Sequence, residues 1–426
     1  MSISEPEGDR ATALLALAGF FSAAAFRVCD PLLPQLATTF ETSTGFAAYT
    51  ITVFSVAYGS LQVFWGPVGD RYGKYRTAAF ATFACAIGNI AAVFATSLPA
   101  LIASRAIAGA TGGGIIPLAL AWIGDTIPYA QRQAVLARFL TGTILGIACG
   151  QFIGGLFADT LGWRWAFGSM AGCYVIVGVL LQFELRRLAR RSSKIVTDET
   201  AARDAAPRLS FIAQAIEILR DRWARVVLVT VAIEGAIVFG ALAFVPADLH
   251  ARFGLSLTAA GGIVAAYGVG GVGYTLCARR LVARLGERGL ARIGGIVTLL
   301  AFGALALARD WHITIVACFA VGFGFYMLHN TLQTNATQMA PHARGTAVAM
   351  FASAFFIGQS IGVALASPIV DHFGATWLFL IATILMPLLA TGFARALASR
   401  PSQHFSSVLS KSPSRCGARA RSANRA

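Results

Sequence analysis

The chain has 426 residues, of which 57% are hydrophobic and 12% charged. Soluble domains carry about twice that charged fraction, so a water-soluble globular fold is excluded. The net charge of +15 would suit a nucleic-acid binder, but the cations alternate with long apolar runs, which points to a bilayer rather than to nucleic acid as the partner. Apolar runs of about 20 residues, the length that crosses a membrane, lie near 12–36, 45–66, 77–97, 100–123, 136–158, 165–185, 226–247, 257–278, 290–308, 312–338, 346–369 and 375–396. They predict an all-α membrane protein of twelve transmembrane helices. The first run is longer than a signal peptide and lacks a small-residue cleavage site, so it is expected to be retained.

With the N-terminus inside, the outward loops hold only Arg164, Arg252 and Arg309. The inward loops hold Arg71, Lys74 and Arg76, then Arg132, the run from Arg186 to Lys194, and Arg279, Arg280, Arg284 and Arg288. This is the positive-inside pattern, and it puts both termini in the cytoplasm. Seven cysteines (29, 85, 149, 173, 277, 318 and 416) are scattered without metal-ligand spacing, so reduced thiols are expected.

In chain order, the first span carries Arg27 and Asp30 just before Pro31 and Pro34. The i,i+3 spacing puts both charges on one face, about 20 and 25 Å from the inner end of the helix. A charge left unpaired in hydrocarbon costs several kcal/mol, so groups of this kind are the best functional leads. An interfacial ion pair with a snorkelling arginine is the structural alternative. The second span carries Tyr58 and Gln62 and runs into Gly66-Pro67-Val68-Gly69-Asp70-Arg71-Tyr72-Gly73-Lys74-Tyr75-Arg76. There a Gly/Pro pair is expected to end the helix. The fourth span places Arg105 about 10 Å below its outer end, at a depth where it could meet Arg27 and Asp30. The fifth carries Gln151.

Residues 186–225 form a charged segment between the sixth and seventh spans. Its last part sets Ile212, Ile216, Leu219 and Trp223 on one helical face, which predicts a helix lying on the inner membrane surface. Glu234 enters the seventh span by about 14 Å, near the bilayer midplane. A carboxylate at that depth could carry a proton, attract a cationic substrate, or simply bond a neighbouring helix. The tenth span adds His329, Asn330, Gln333 and Asn335, with His329 and Gln333 on one face. The eleventh adds Gln359. Together with Tyr58, Gln62 and Gln151 these groups imply a polar cavity for a small molecule.

The two halves repeat each other. Asp159-x-x-Gly162-x-x-Trp165 recurs 212 residues on as Asp371-x-x-Gly374-x-x-Trp377. Gly150-Gln151-x-Ile153-Gly154 recurs as Gly358-Gln359-x-Ile361-Gly362, and Phe40 and Ser43 match Phe253 and Ser256. Six spans precede the second copy, so both copies share one orientation, the plan of transporters built from parallel repeats. The expected organisation is a six-helix bundle over 1–190, a linker with an amphipathic helix over 191–222, a second bundle over 223–398, and a disordered basic tail over 399–426.

The loop Gly66–Arg76 resembles the signature G-x-x-x-D-R-x-G-R/K-x-R of the major facilitator superfamily, and the resemblance extends from about residue 12 to 396. It implies the fold of two pseudo-symmetric six-helix bundles and a conformational latch at Gly66, Asp70, Arg71, Gly73 and Lys74. The second-half copy keeps Arg284 and Gly286 but has Arg279 and Ala283 where the first has Gly66 and Asp70. Asp30-Pro31-Leu32-Leu33-Pro34 is similar to the D-x-x-x-P element on the first helix of drug:proton antiporters. Arg105 with Gly109 and Gly112–Gly114 looks like their fourth-helix signature, where the arginine is linked to proton coupling. Gln151 stands where those antiporters have a proline, and Gly162-Trp163-Arg164-Trp165-x-Phe167 matches their pattern.

The reading is therefore a non-enzymatic, multi-pass transporter, monomeric and cofactor-free, expected in a bacterial cytoplasmic membrane. Protons are the expected coupling ion, exchanged at Glu234 or Asp30 with Arg105 and Arg27 alongside, and a small organic solute is exported. Import or facilitated passage of a metabolite, supported by the missing proline, stays open, as does a sensor without turnover. No G-x-x-x-x-G-K-S/T loop is present, so ATP drive is not expected.

Overall fold

The computed structural model describes residues 5–192 and 211–399. Every regular element among them is helical. The spans are α1 (Asp9–Thr39), α2 (Thr44–Tyr72), α3 (Lys74–Val93), α4 (Leu98–Thr126), α5 (Gln131–Asp159), α6 (Trp163–Arg190), α7 (Arg222–Phe253), then Leu257–Leu307, and after it α10 (Trp311–Gln338), α11 (Arg344–Phe373) and α12 (Ala375–Ala398). The 51-residue stretch Leu257–Leu307 leaves helical geometry at Gly286 (φ 61°, ψ 179°). It is therefore two spans, α8 (257–285) and α9 (287–307), which completes the expected twelve. The expected disordered tail and most of the expected linker lie outside the described residues.

The internal repeat is written into the backbone. Gly73 and Gly286 are aligned, and both take positive φ (92° and 61°). Gly162 and Gly374, in the two D-x-x-G-x-x-W copies, do the same at 90° and 85°. Glycine enters this region without the Cβ clash that costs other residues about 1–2 kcal/mol. A third pair breaks the rule, since Gly254 (φ 64°) is matched by Glu41 at φ 49°. Glu41→Gly is accordingly expected to raise the melting temperature in detergent, by up to about 1 kcal/mol of stability, and Gly254→Glu to lower it.

Two features differ from the sequence-based expectation. The helix does not stop at Gly66-Pro67. It runs through Pro67 to Tyr72, and the chain turns only at Gly73. The amphipathic helix Phe211–Arg220 exposes Ile212, Ile216 and Leu219 but ends before Trp223. Asp221 caps the next helix, accepting from Ala224 N at 2.7 Å, so Trp223 belongs to α7 and stacks on Phe393 of α12.

Close packing within and between the halves depends on small residues. Gly150 and Gly154 of α5 ride against the Ala24 and Val28 carbonyls of α1. Between halves, α2 packs on α11 and α5 on α8. Along α2, Gly45 and Gly59 abut α11, whereas Gly66 meets nothing within 4 Å, and on α11 Gly345 is equally open. The glycine contacts that join the halves therefore fall away from the face that carries Asp70, Lys74 and Arg186–Arg190, called the basic face below.

Candidate functional site

Two breaks in aligned helices set the stage. α1 loses its helical turn after Arg27, makes a single 3-10 turn over Asp30–Leu32, and resumes at Leu33. α7 breaks at the matching place, Ala243–Phe244. Only the first break carries charge. Arg27 and Asp30 are both buried and pair at 3.4 Å (Nη1 to Oδ2). The glycine seam that lets α5 touch α1 brings Gln151 onto the same carboxylate, donating from Nε2 to Asp30 Oδ2 at 2.6 Å. Asp30 Oδ1 has no hydrogen-bond partner.

Arg105 of α4 reaches this region by a different route from the one the spacing implied. Its Nη2 donates to the Ala25 carbonyl of α1 at 2.9 Å, and its guanidinium lies 4.1 Å above the Phe54 ring. It is buried, and its contact with α1 is to backbone rather than to Asp30. Arg27 does not snorkel. Its guanidinium sits 4.1 Å from the centre of the Phe239 ring, which belongs to α7 of the other half.

The second cluster is in that other half. Glu234 of α7 is fully buried, and its Oε2 is 2.7 Å from His329 Nδ1 on α10. His329 retains 15% side-chain exposure and stacks on Phe325 at 4.8 Å. Phe325 meets Phe239 at 5.4 Å, so an aromatic path runs from Arg27 through Phe239 and Phe325 to His329 and Glu234. Spacing identified the four charged residues and His329. The aromatic connectors it missed, because a phenylalanine in an apolar helix gives no signal that separates a bridge from ordinary core.

The remaining polar candidates divide. Gln359 is fully buried with neither amide atom bonded, and Gln62 is buried with Oε1 unbonded. Tyr58 is buried, its hydroxyl 3.5 Å from Ser22 Oγ, and its ring lies 4.7 Å from Phe356 of α11. Asn330 donates to the Tyr274 hydroxyl at 3.0 Å. Gln333 is exposed and stands apart from the buried clusters, while Asn335, on the same helix, donates to Glu287 at 3.2 Å. At the basic face, Lys74 bridges Asp70 (3.5 Å) and Asp125 at the end of α4. Arg71, Gly66 and Gly73 are exposed there, and Asp125 is a partner that the motif itself does not contain.

Comparison with known proteins agrees with this architecture. The Major Facilitator Superfamily profile matches residues 15–363. The chain is 27% identical over 377 residues to the MFS-type transporter YwfA of Bacillus subtilis, covering 85% of this chain and 86% of that one. It is 30% identical over 156 residues to the multidrug export protein EmrB of Escherichia coli, a match spanning 37% of this chain and 30% of EmrB. Among solved structures, a point mutant of the nucleoside transporter NupG superposes with a TM-score of 0.73 at 13% identity, covering 90% of this chain and 99% of that one. With twelve spans in two repeated bundles and a profile match over most of its length, the chain is an integral multi-pass membrane protein that belongs to the Major Facilitator Superfamily.

Proposed function

We propose that the protein is a proton-coupled secondary transporter that exports a small organic solute by alternating access. The observation that carries this reading is the pair of buried ionisable clusters, one in each half, joined across the half boundary by the Arg27–Phe239 contact. A charge that changes state on one side can then bias the packing of the other, which is what coupling requires. Glu234 is the proposed proton carrier, because its partner His329 keeps 15% side-chain exposure where Arg27 and Asp30 keep 2% or less. The basic face is assigned to the cytoplasm by the positive-inside rule, which makes the present arrangement open inward. The membrane is proposed to be a bacterial cytoplasmic one.

The partial match to the multidrug export protein EmrB favours export. One residue favours the opposite direction as a second reading. Gln151 occupies the antiporter proline position and spends its amide on Asp30, so the fifth helix runs unbroken where an antiporter's is kinked. Reconstitution separates the two. In proteoliposomes containing pyranine, a solute gradient should move protons against the solute for export and with it for import. Ethidium and radiolabelled nucleosides are suitable first solutes. An imposed pH gradient that drives neither, in a preparation that still exchanges solute, would overturn the coupling.

A further inference from the structure

The D-x-x-G-x-x-W repeat has no place in the reading above, yet its two aspartates make the same contact twice. Asp159 ends α5 and Asp371 lies near the end of α11, both at the face opposite the basic one. Each carboxylate crosses to the other half. Asp159 Oδ1 accepts from Leu257 N at 3.0 Å, and its Oδ2 accepts from Thr258 N and Thr258 Oγ1, both at 2.6 Å. Asp371 Oδ1 accepts from Gly45 N at 2.9 Å, and its Oδ2 accepts from Ser43 Oγ at 2.6 Å.

The division of labour is the same at both ends. Ser256 caps α8 by accepting from Ala259 N at 3.1 Å, and Ser43 caps α2 by accepting from Phe46 N at 3.0 Å. Each serine thus satisfies the third amide of its own helix, and amides of the first turn are left for the foreign carboxylate. The negative charge meets the positive end of the helix dipole through charge-assisted hydrogen bonds. Neither aspartate makes an ion pair among the described residues. The backbones are fitted to these contacts: a Cβ on Gly45 would meet the Asp371 carboxylate and the Ser367 carbonyl, and one on Gly155 would meet the Leu257 carbonyl.

We infer that Asp159 and Asp371 are positioning residues of the transport cycle, paired anionic clasps that hold the two halves shut at this face and release when the opening changes sides. The inference rests on the alternating-access reading. Two equivalent clasps, on the two seams that join the halves, resist opening from both sides of the central site. Their energy is differential, since it exists only while the halves touch, and a contact of that kind shifts a conformational equilibrium rather than merely stabilising the fold. Both bonds must stretch together when one rigid half rocks against the other.

Spin labels at the exposed positions Glu41 and His372, one in each half, report the opening in the full chain reconstituted in nanodiscs. Asp159→Asn/Asp371→Asn should raise the ratio of long to short distances at least about tenfold, with each single variant intermediate. Asp159→Glu/Asp371→Glu, which keeps the charge, should stay closer to the parent. Thr258→Val, which leaves both carboxylates intact, should shift the ratio in the same direction by less. An unchanged distance distribution in the double Asn variant would overturn the clasps. A parent chain that shows both distances, with populations that respond to pH or solute, while the double variant matches it, overturns the clasps alone. A parent chain and variants that never leave the short distance overturn alternating access as well.

Discussion

Glu234→Gln is expected to uncouple the protein: a pH gradient no longer concentrates solute, and the accumulation ratio falls to about 1, while solute exchange at equal pH persists. Glu234 is fully buried and holds His329 through Oε2, with Oε1 free of partners. Glutamine has the same shape and can still offer an oxygen to the imidazole, so the local packing against Phe325 and Phe355 survives. What is lost is the proton site. Because a driving ion works only through its differential binding in the two arrangements of the protein, deleting that site removes the coupling free energy without touching the path of the solute. His329→Phe should give a weaker version of the same result, since it removes the exposed end of the pair and leaves the carboxylate. Counterflow and gradient-driven uptake, measured on the same vesicles, distinguish loss of coupling from loss of transport. Gradient-driven accumulation intact in Glu234→Gln would refute the assignment.

The second large effect is on stability. Asp30→Ala leaves Arg27 with a side chain only 2% exposed and no anion, and it also strands the Gln151 amide. Removing one partner of a buried ion pair costs about 3–5 kcal/mol, whereas replacing both by apolar groups of similar volume is often neutral. The expected outcome is a chain that melts far below its parent in detergent as Asp30→Ala, and that recovers most of the loss as Asp30→Ala/Arg27→Met, the stranded Gln151 amide keeping it about 1–3 kcal/mol short. Arg27→Met is well matched because its side chain can keep the contact with Phe26 and Phe239. If Asp30 is chiefly a structural counter-ion, the double variant also transports. If Asp30 exchanges protons in the cycle, the double variant folds and fails to couple. Stability and transport measured together separate the two roles of this residue.

The places where the sequence reading and the structure part company share one cause. Arg105 was expected beside Arg27 and Asp30 on grounds of depth, and it does reach α1, but through the Ala25 carbonyl and the Phe54 ring. Depth along a helix is set by residue count, while the partner chosen at that depth depends on how the helices are rotated and how closely they approach. Gln151 illustrates the same point from the other side. Its position in a glycine frame was visible, but its bond to Asp30 follows from α5 lying against the α1 carbonyls. Gln333 shares a face with His329 by spacing and is nonetheless exposed, whereas His329 is covered by Phe325, Phe351 and Phe355. Gly66-Pro67 read as a helix stop, and the helix continues, since the proline sits on an exposed stretch where one lost backbone bond is tolerated.

Composition and periodicity alone determined the membrane class, the twelve spans, the doubling of the chain and the residues able to hold charge in an apolar setting. Those properties are local or one-dimensional: a 20-residue apolar run must span, and a repeated turn glycine must turn again, whatever surrounds it. Which charges pair, which aromatic rings bridge the halves and where Asp159 and Asp371 place their carboxylates were decided only by tertiary structure. Such contacts join residues up to 328 positions apart, and their existence depends on how the two bundles are arranged against each other, which no local property of the chain encodes.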